Sequence, residues 1–239
     1  EALSLDRQMF GDKHSYVAAS LTNVGVILRL KGEFVEAEKV LRQTLDMHRA
    51  LYGERHAAVA FDLGALGHAR LYSGDGAGAI PLLRRSLAVY RELFGDDHLN
   101  SIAMTGNLAY ALAEHGHPAE AESLSRAALQ RLDAEKVEHR SAFLTSRLAL
   151  GKALLARGRT GEALPVLEQV VERSRAQFGD DHWRVGAARL SYGKALVASG
   201  RLAEAEPELR AARAALEKSR RAQPRLAAQA EAAVASLSR

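Results

Sequence analysis

Apolar residues along this chain keep helical spacing in paired runs. Leu21, Val24 and Leu28 follow i, i+3, i+7 before Gly32. Ala37, Leu41 and Leu45 follow i, i+4, i+8 after it, with Val40 alongside. Each run is the buried stripe of an amphipathic helix whose other positions are polar. The spacing predicts two helices joined by a tight turn, neither able to bury its stripe alone.

The same pattern returns every 42 residues. A small residue recurs as Gly25, Gly67, Ala109, Gly151 and Gly193, and a glycine follows as Gly32, Gly74, Gly116, Gly158 and Gly200. An alanine comes next, as Ala37, Ala79, Ala121, Ala163 and Ala205. The glycine reads as the left-handed residue that ends a helix, and the small and alanine columns as places where two helices approach closely. A fixed period of this length marks a repeat array, in which neighbours stack to share one continuous core. The expected fold is therefore all-α, an α-solenoid of stacked antiparallel helix pairs.

The blocks are 15–56, 57–98, 99–140, 141–182 and 183–224. Residues 1–14 read as the second helix of a preceding partial repeat, which suggests that the array begins inside a larger protein. Residues 225–239 read as an amphipathic capping helix covering the last pair.

At four block boundaries stands an aromatic-Gly-acid-x-His cluster: "FGDKH" at 10–14, "YGERH" at 52–56, and "FGDDH" at 94–98 and 178–182. Such a cluster invites a metal-site reading. The histidines, however, sit on separate repeats about 8–10 Å apart, whereas zinc holds its ligands at about 2.0–2.2 Å. The cluster is expected to be a turn: the aromatic closes one helix, the glycine permits the exit, and the acids cap the next helix. At 134–140 "AEKVEHR" replaces it, and a bend or softer seam is expected between 133 and 141.

Composition narrows the function. The chain is 47% hydrophobic and 26% charged, has no cysteine, and contains no apolar run of 18 residues. Disulfides, thiolate chemistry and a spanning helix are thereby excluded, and a cytoplasmic setting is expected. "SGDGAGA" at 73–79 lacks the Lys-Ser/Thr pair of a phosphate loop, and "EHGH" at 114–117 reads as a solvated turn. No nucleophile elbow or zinc-protease helix is present. We expect no enzyme activity, no cofactor and no metal. Prolines Pro81, Pro165 and Pro207 fall early in second helices, where proline is tolerated.

"LTNVGVILRLKGEFVEAEKVLRQTL" at 21–45 resembles a tetratricopeptide repeat, and the 42-residue period with its "FGDDH" junction resembles the kinesin-light-chain type. The segment 181–212 resembles C-terminal arrays of bacterial Ser/Thr protein kinases. The resemblance implies a right-handed superhelix whose first helices line a concave groove. Counting the small column as position 8, the family's groove faces are positions 2, 5, 6, 9, 12 and 13. Asparagine at position 6 grips a peptide backbone in the family, and here Asn23 and Asn107 match while Ala65, Ala149 and Ser191 depart. Position 9 supplies His68, Tyr110, Lys152 and Lys194, position 13 Tyr72, position 12 Arg29 and position 2 Phe61. The implied peptide site is thus mixed-aromatic at its N-terminal half and basic at its C-terminal half.

The formal net charge of +4 is uneven. Residues 99–140 carry 4 basic and 6 acidic groups, and residues 183–224 carry 9 and 4. A protein or peptide partner with an acidic segment is complementary to that end. Neither membrane nor nucleic acid is expected as a partner, and the sequence leaves the oligomeric state open. The competing reading is an oligomerisation or autoregulatory scaffold that works through its ends or convex face. Arg70, Arg147 and Arg189 stand where the family prefers large apolar residues, and either reach the groove rim or loosen the packing.

Overall fold

A computed structural model of the chain describes residues 2–134 and 141–237. The seam expected between 133 and 141 falls on residues outside those described. Two compact units are present, Glu1–Met104 and Thr105–Arg239. Among the described residues all regular structure is helical. The first unit holds α1 (Ala2–Phe10), α2 (Ser15–Lys31), α3 (Phe34–Tyr52), α4 (Ala57–Ser73), α5 (Gly76–Phe94) and the start of α6 (Leu99–Glu114). The second holds the rest of α6, α7 (Pro118–Ala134), α8 (Ser141–Ala156), α9 (Thr160–Phe178), α10 (Trp183–Ala198), α11 (Leu202–Glu217) and α12 (Pro224–Ser236).

In the first unit α1 to α5 pack in succession on their sequence neighbours, in the second α7 to α12 do the same, and first helices also meet, α2 on α4 and α8 on α10. The first unit's core gathers Ala37, Leu41 and Leu45 of α3 against Val59, Leu63, Leu66 and Ala69 of α4. These are the stripes that the periodicity marks.

The small column has a steric cause. A methyl group added at Gly151 would lie 2.4 Å from Leu167 Cδ2 and 2.5 Å from its Cγ, and Gly25 and Gly193 face Leu41 and Leu209 equally closely. Leucine from the second helix fills the space that the glycine leaves. In the third block the register puts Ala109 opposite Ser125, both fully buried: the first helix gains a methyl group where the second loses its leucine. We therefore expect Gly151→Ala to cost about 1–3 kcal/mol by overpacking. Combining it with Leu167→Ser should cost at least about 1 kcal/mol less than the sum of the two single changes. Urea titrations of the four proteins read this coupling, and strictly additive losses would refute it.

The boundary turns differ from expectation in who caps. His14, His56 and His182 are the N-cap residues, and their Nδ1 atoms accept from the amides of Tyr16, Ala58 and Arg184. His98 accepts in the same way from Asn100. The acids instead hold the helix behind them: Arg7 pairs with Asp12 at 3.2 Å, Arg49 with Glu54 at 2.8 Å, Arg91 with Asp96 at 2.6 Å and Arg175 with Asp180 at 2.8 Å. An aspartate one residue beyond the glycine points back along the outgoing helix, so its nearest cation is the arginine of the last turn. Each histidine ring also stacks on its aromatic, with centroids 4.6, 4.1, 4.5 and 4.7 Å apart in chain order. Gly53, Gly95 and Gly179 carry positive φ with ψ between 161° and 179°, an extended mirror-image conformation open essentially to glycine alone. Gly32 and Gly74, inside the pairs, are the left-handed residues expected.

Pro81, Pro165 and Pro207 lie at the sixth residue of α5, α9 and α11, one turn deeper than a first-turn position. Each is exposed, so the carbonyl four residues earlier can turn to water in place of the missing amide.

Candidate functional site

The residues assigned to the groove fall into two groups, one in each unit. In the first unit Asn23 is exposed on α2 and Phe61 on α4, the latter with 51% of its surface open. Ile27 and Leu30 are exposed on α2 as well. Arg29 lays its guanidinium 5.3 Å from the centre of the Tyr72 ring, and His68 lies 6.1 Å from the same ring. Arg29, His68 and Tyr72 thus form one cluster, an arginine stacked on an aromatic and held by the cation–π attraction.

In the second unit Asn107 is half-buried and Tyr110 retains only 8% exposure. Tyr110 is therefore a wall of the site rather than an exposed anchor. Lys152 sits 5.8 Å from the Tyr110 ring centre and makes an ion pair with Glu114. Lys194 donates to Gln229 Oε1 at 3.0 Å. Arg225 of α12 donates to the Glu114 carbonyl oxygen at 2.9 Å, stands 2.7 Å from His115 Nε2 and 3.7 Å from the Glu114 carboxylate.

Three cations therefore converge on one carboxylate. Burial alone would push the Glu114 carboxyl up, but the charges of Lys152, Arg225 and Lys194 hold it down at about 2. Lys194 is pushed below the ordinary lysine range by burial and by the neighbouring Lys152. The cluster is electrostatically unbalanced, with more positive than negative charge in a half-buried place. What it can do chemically is receive another carboxylate.

Of the residues expected from repeat position, Tyr110, Lys152 and Lys194 lie in this cluster, and Asn107 is half-buried on the helix that carries Tyr110. The sequence pattern gives no sign of Gln229 and Arg225, which lie beyond the last repeat, and presents His115 only as part of a turn expected to be solvated. Glu114, five residues after Ala109, falls at position 13 of the third block, and its pairing with Lys152 is not evident from that position. Arg70 and Arg189 reach carboxylates, Arg70 Nη2 on Glu38 at 2.7 Å and Arg189 on Asp180. Arg147 bonds to Gln169 and lies 4.7 Å from the Phe143 ring centre. These arginines are polar clasps between helices.

Among the described residues no helix is long and apolar enough to cross a membrane. No curated protein matches the sequence significantly. The structure resembles nearly identical TPR-like repeats from a kinesin-light-chain-type protein of Podosopora anserina, with TM-score 0.61, 24% identity, and 85% of this chain and 96% of that one covered. It also resembles PlcR of Bacillus thuringiensis, crystallised with the peptide PapR7 and DNA, with TM-score 0.64, 19% identity, and 92% and 76% covered. A Rap protein in complex with competence and sporulation factor matches at TM-score 0.60 and 14% identity, with 94% and 71% covered. At these identities the likeness is one of fold. The sequence itself matches the tetratricopeptide repeat model over residues 16–75, 59–134 and 143–218, and with that match the chain belongs to the tetratricopeptide repeat family.

Proposed function

We propose that the chain is a non-catalytic protein-interaction module that binds a peptide or partner segment on the first-helix faces, as the regulatory part of a larger bacterial protein. The observation that carries this reading is the surplus of positive charge around Glu114. Lys152 of α8 and Lys194 of α10 have a single carboxylate between them, so a segment bearing Asp or Glu completes the set. The first unit's face suits an apolar segment through Phe61, Ile27 and Leu30, and Asn23 and Asn107 are amides able both to donate to and accept from a peptide backbone. PlcR, which shares the fold, was crystallised with the peptide PapR7 and DNA, and the Rap protein with competence and sporulation factor. A second reading, contact through the array's end, draws on the exposed Leu5 and Met9 of α1.

Peptide display on the full chain tests the first reading. The selected peptides should be enriched in Asp and Glu. Lys194→Glu supplies the missing carboxylate from within, and affinity for those peptides should then fall at least about tenfold. Selection without acidic enrichment, or the same enrichment on the Lys194→Glu protein, would rule the reading out.

A further inference from the structure

The connection from α11 to α12 departs from the turns at 10–14, 52–56, 94–98 and 178–182. Counting 42 residues on from "FGDDH" at 178–182 arrives at Arg220, Arg221, Ala222, Gln223 and Pro224. No glycine is there to give the positive-φ exit, and α11 ends at Lys218 in the right-handed conformation. The N-cap residue of α12, Gln223, makes no side-chain capping bond, whereas His182 caps α10. The chain thus leaves the repeat geometry, and α12 reaches a residue that lies 111 positions upstream, Glu114.

We infer that α12 is a cis ligand of the second unit's face: Gln229 occupies the Lys194 ammonium that an acidic partner would use, Arg225 anchors the helix on Glu114, and partner binding releases the helix. The inference rests on the peptide-binding reading above and gives that site its regulation.

Arg225 and Gln229 are four residues apart and so project from one face of α12. Arg225 engages Glu114 and His115, and Gln229 takes the Nζ of Lys194. A carboxylate arriving at Lys194 competes with Gln229, whose side-chain oxygen lies 3.0 Å from that ammonium. The exchange favours the newcomer in kind, since a charge-assisted bond to carboxylate is stronger than one to an amide oxygen.

The apolar hold on α12 is slight. Its buried residues are Leu226, Ala227 and Ala230, two of the three no larger than alanine. α10, by contrast, buries Val185, Leu190, Tyr192 and Leu196 together with six smaller residues. A helix that adheres by polar anchors and alanines belongs to the low-stability end of a structure, where segments open locally without global unfolding. Arg220, bonded to Glu217 of α11 and Glu231 of α12, is a further polar anchor, and the short covalent connection keeps a released α12 nearby, at high effective concentration.

Hydrogen exchange on the full chain reads the contact directly. The amides of α12 should exchange at least about tenfold faster than those of α11. Arg225→Ala/Gln229→Ala should speed α12 further and leave α8 to α11 unchanged. A synthetic peptide of residues 221–237 should then bind the double variant at least about tenfold more tightly than wild type, because the cis competitor is weakened. Labelled oligoglutamate should raise α12 exchange in the wild-type chain. Exchange of α12 and α11 as one unit, or equal binding of the 221–237 peptide to both proteins, would overturn the inference. Oligoglutamate that binds without changing α12 exchange would overturn it too, while leaving the peptide reading intact. Oligoglutamate that binds neither protein counts against the acidic-ligand reading alone, and the 221–237 peptide then decides whether α12 is exchangeable.

Discussion

Replacing Asp62 by alanine will destabilise the first unit by about 3–5 kcal/mol, the usual effect of removing one member of a buried polar set. Asp62 lies on α4 with 0% of its surface exposed. Its carboxylate accepts from Thr22 Oγ1 of α2 at 2.9 Å and meets His48 Nδ1 of α3 at 2.6 Å. Thr22 and His48 are themselves buried, so alanine strips both of their bond to the carboxylate; Thr22 keeps its bond to the Ala18 carbonyl oxygen, while the His48 ring is left buried without this partner. The triple change Thr22→Val/His48→Leu/Asp62→Leu removes all three polar groups and should recover at least half of the loss, because apolar residues of similar size replace such sets at little cost. Urea titration with hydrogen exchange in α2 to α4 measures both proteins. A loss below about 1 kcal/mol for Asp62→Ala, or a triple variant no better than the single one, would defeat this account.

The sign of the Asp62 shift separates this site from the acid-sensitive one. Burial raises the Asp62 carboxyl above its ordinary value, against the downward pull of His48 and Thr22. A folded-state value that is raised contributes stability at low pH and loses it as pH rises through that value. The Asp62 set is therefore no source of acid lability. The same carboxylate, together with burial, pushes the Tyr90 hydroxyl up to about 12, so Tyr90 stays neutral throughout the working range.

This set also shows what a repeat pattern conceals. His48 and Asp62 are 14 residues apart, as are Asp6 and Ser20, whose side chains bond at 2.5 Å. Forty-two residues further on, the same two columns hold Tyr90 and Met104, and at the fourth junction Ser174 and Ala188. The two columns thus change their chemistry from one junction to the next. Averaged over repeats, those columns look like noise, and Asp62 passes for an exposed charge inside the apolar run "AAVAFDLGALGHA". A single aspartate at an otherwise buried helical position was the available signal. A unique pair at each seam makes a swapped stacking order leave unmatched groups, which is a means of specifying order as well as adhesion.

The helices and their close approaches were legible because they depend on spacing and residue size. Gly25 against Leu41 and Gly151 against Leu167 follow from a column of small residues facing a column of leucines. The capping role of His14 and His182 was not legible, because aspartate is the commoner cap and sequence alone does not say which way its side chain turns. Site chemistry was half legible. Lys152 and Lys194 stand at repeat positions, but the bond from Lys194 to Gln229 and the reach of Arg225 to Glu114 depend on where α12 settles. That placement breaks the period, so nothing in the repeats could reveal it.

Glu114→Gln will remove most of the acid-dependent stability of the second unit. The Glu114 side chain has 7% exposure and is paired with Lys152. Its carboxyl titrates at about 2 instead of near 4.5: burial opposes ionisation, and the charges of Lys152, Arg225 and Lys194 outweigh it. For a depressed carboxyl the stabilisation is complete above the ordinary value and is lost as pH falls toward the folded one. The shift corresponds to about 3 kcal/mol in full, of which about 2 kcal/mol disappears between pH 6 and pH 3. Glutamine keeps the shape and drops the charge, leaving Lys152 and Arg225 without their counter-ion. The stability difference between wild type and Glu114→Gln should thus shrink by about 2 kcal/mol from pH 6 to pH 3 when both are titrated with urea. A difference that stays constant across that range would mean that the three cations do not act on Glu114. The same substitution weakens the hold on Arg225, so α12 amides should exchange faster in Glu114→Gln at neutral pH while those of α9 hold their rate. The carboxylate that steadies the second unit against acid is also an anchor of its terminal helix, and an acidic partner that draws Lys194 away from Gln229 would weaken the other anchor.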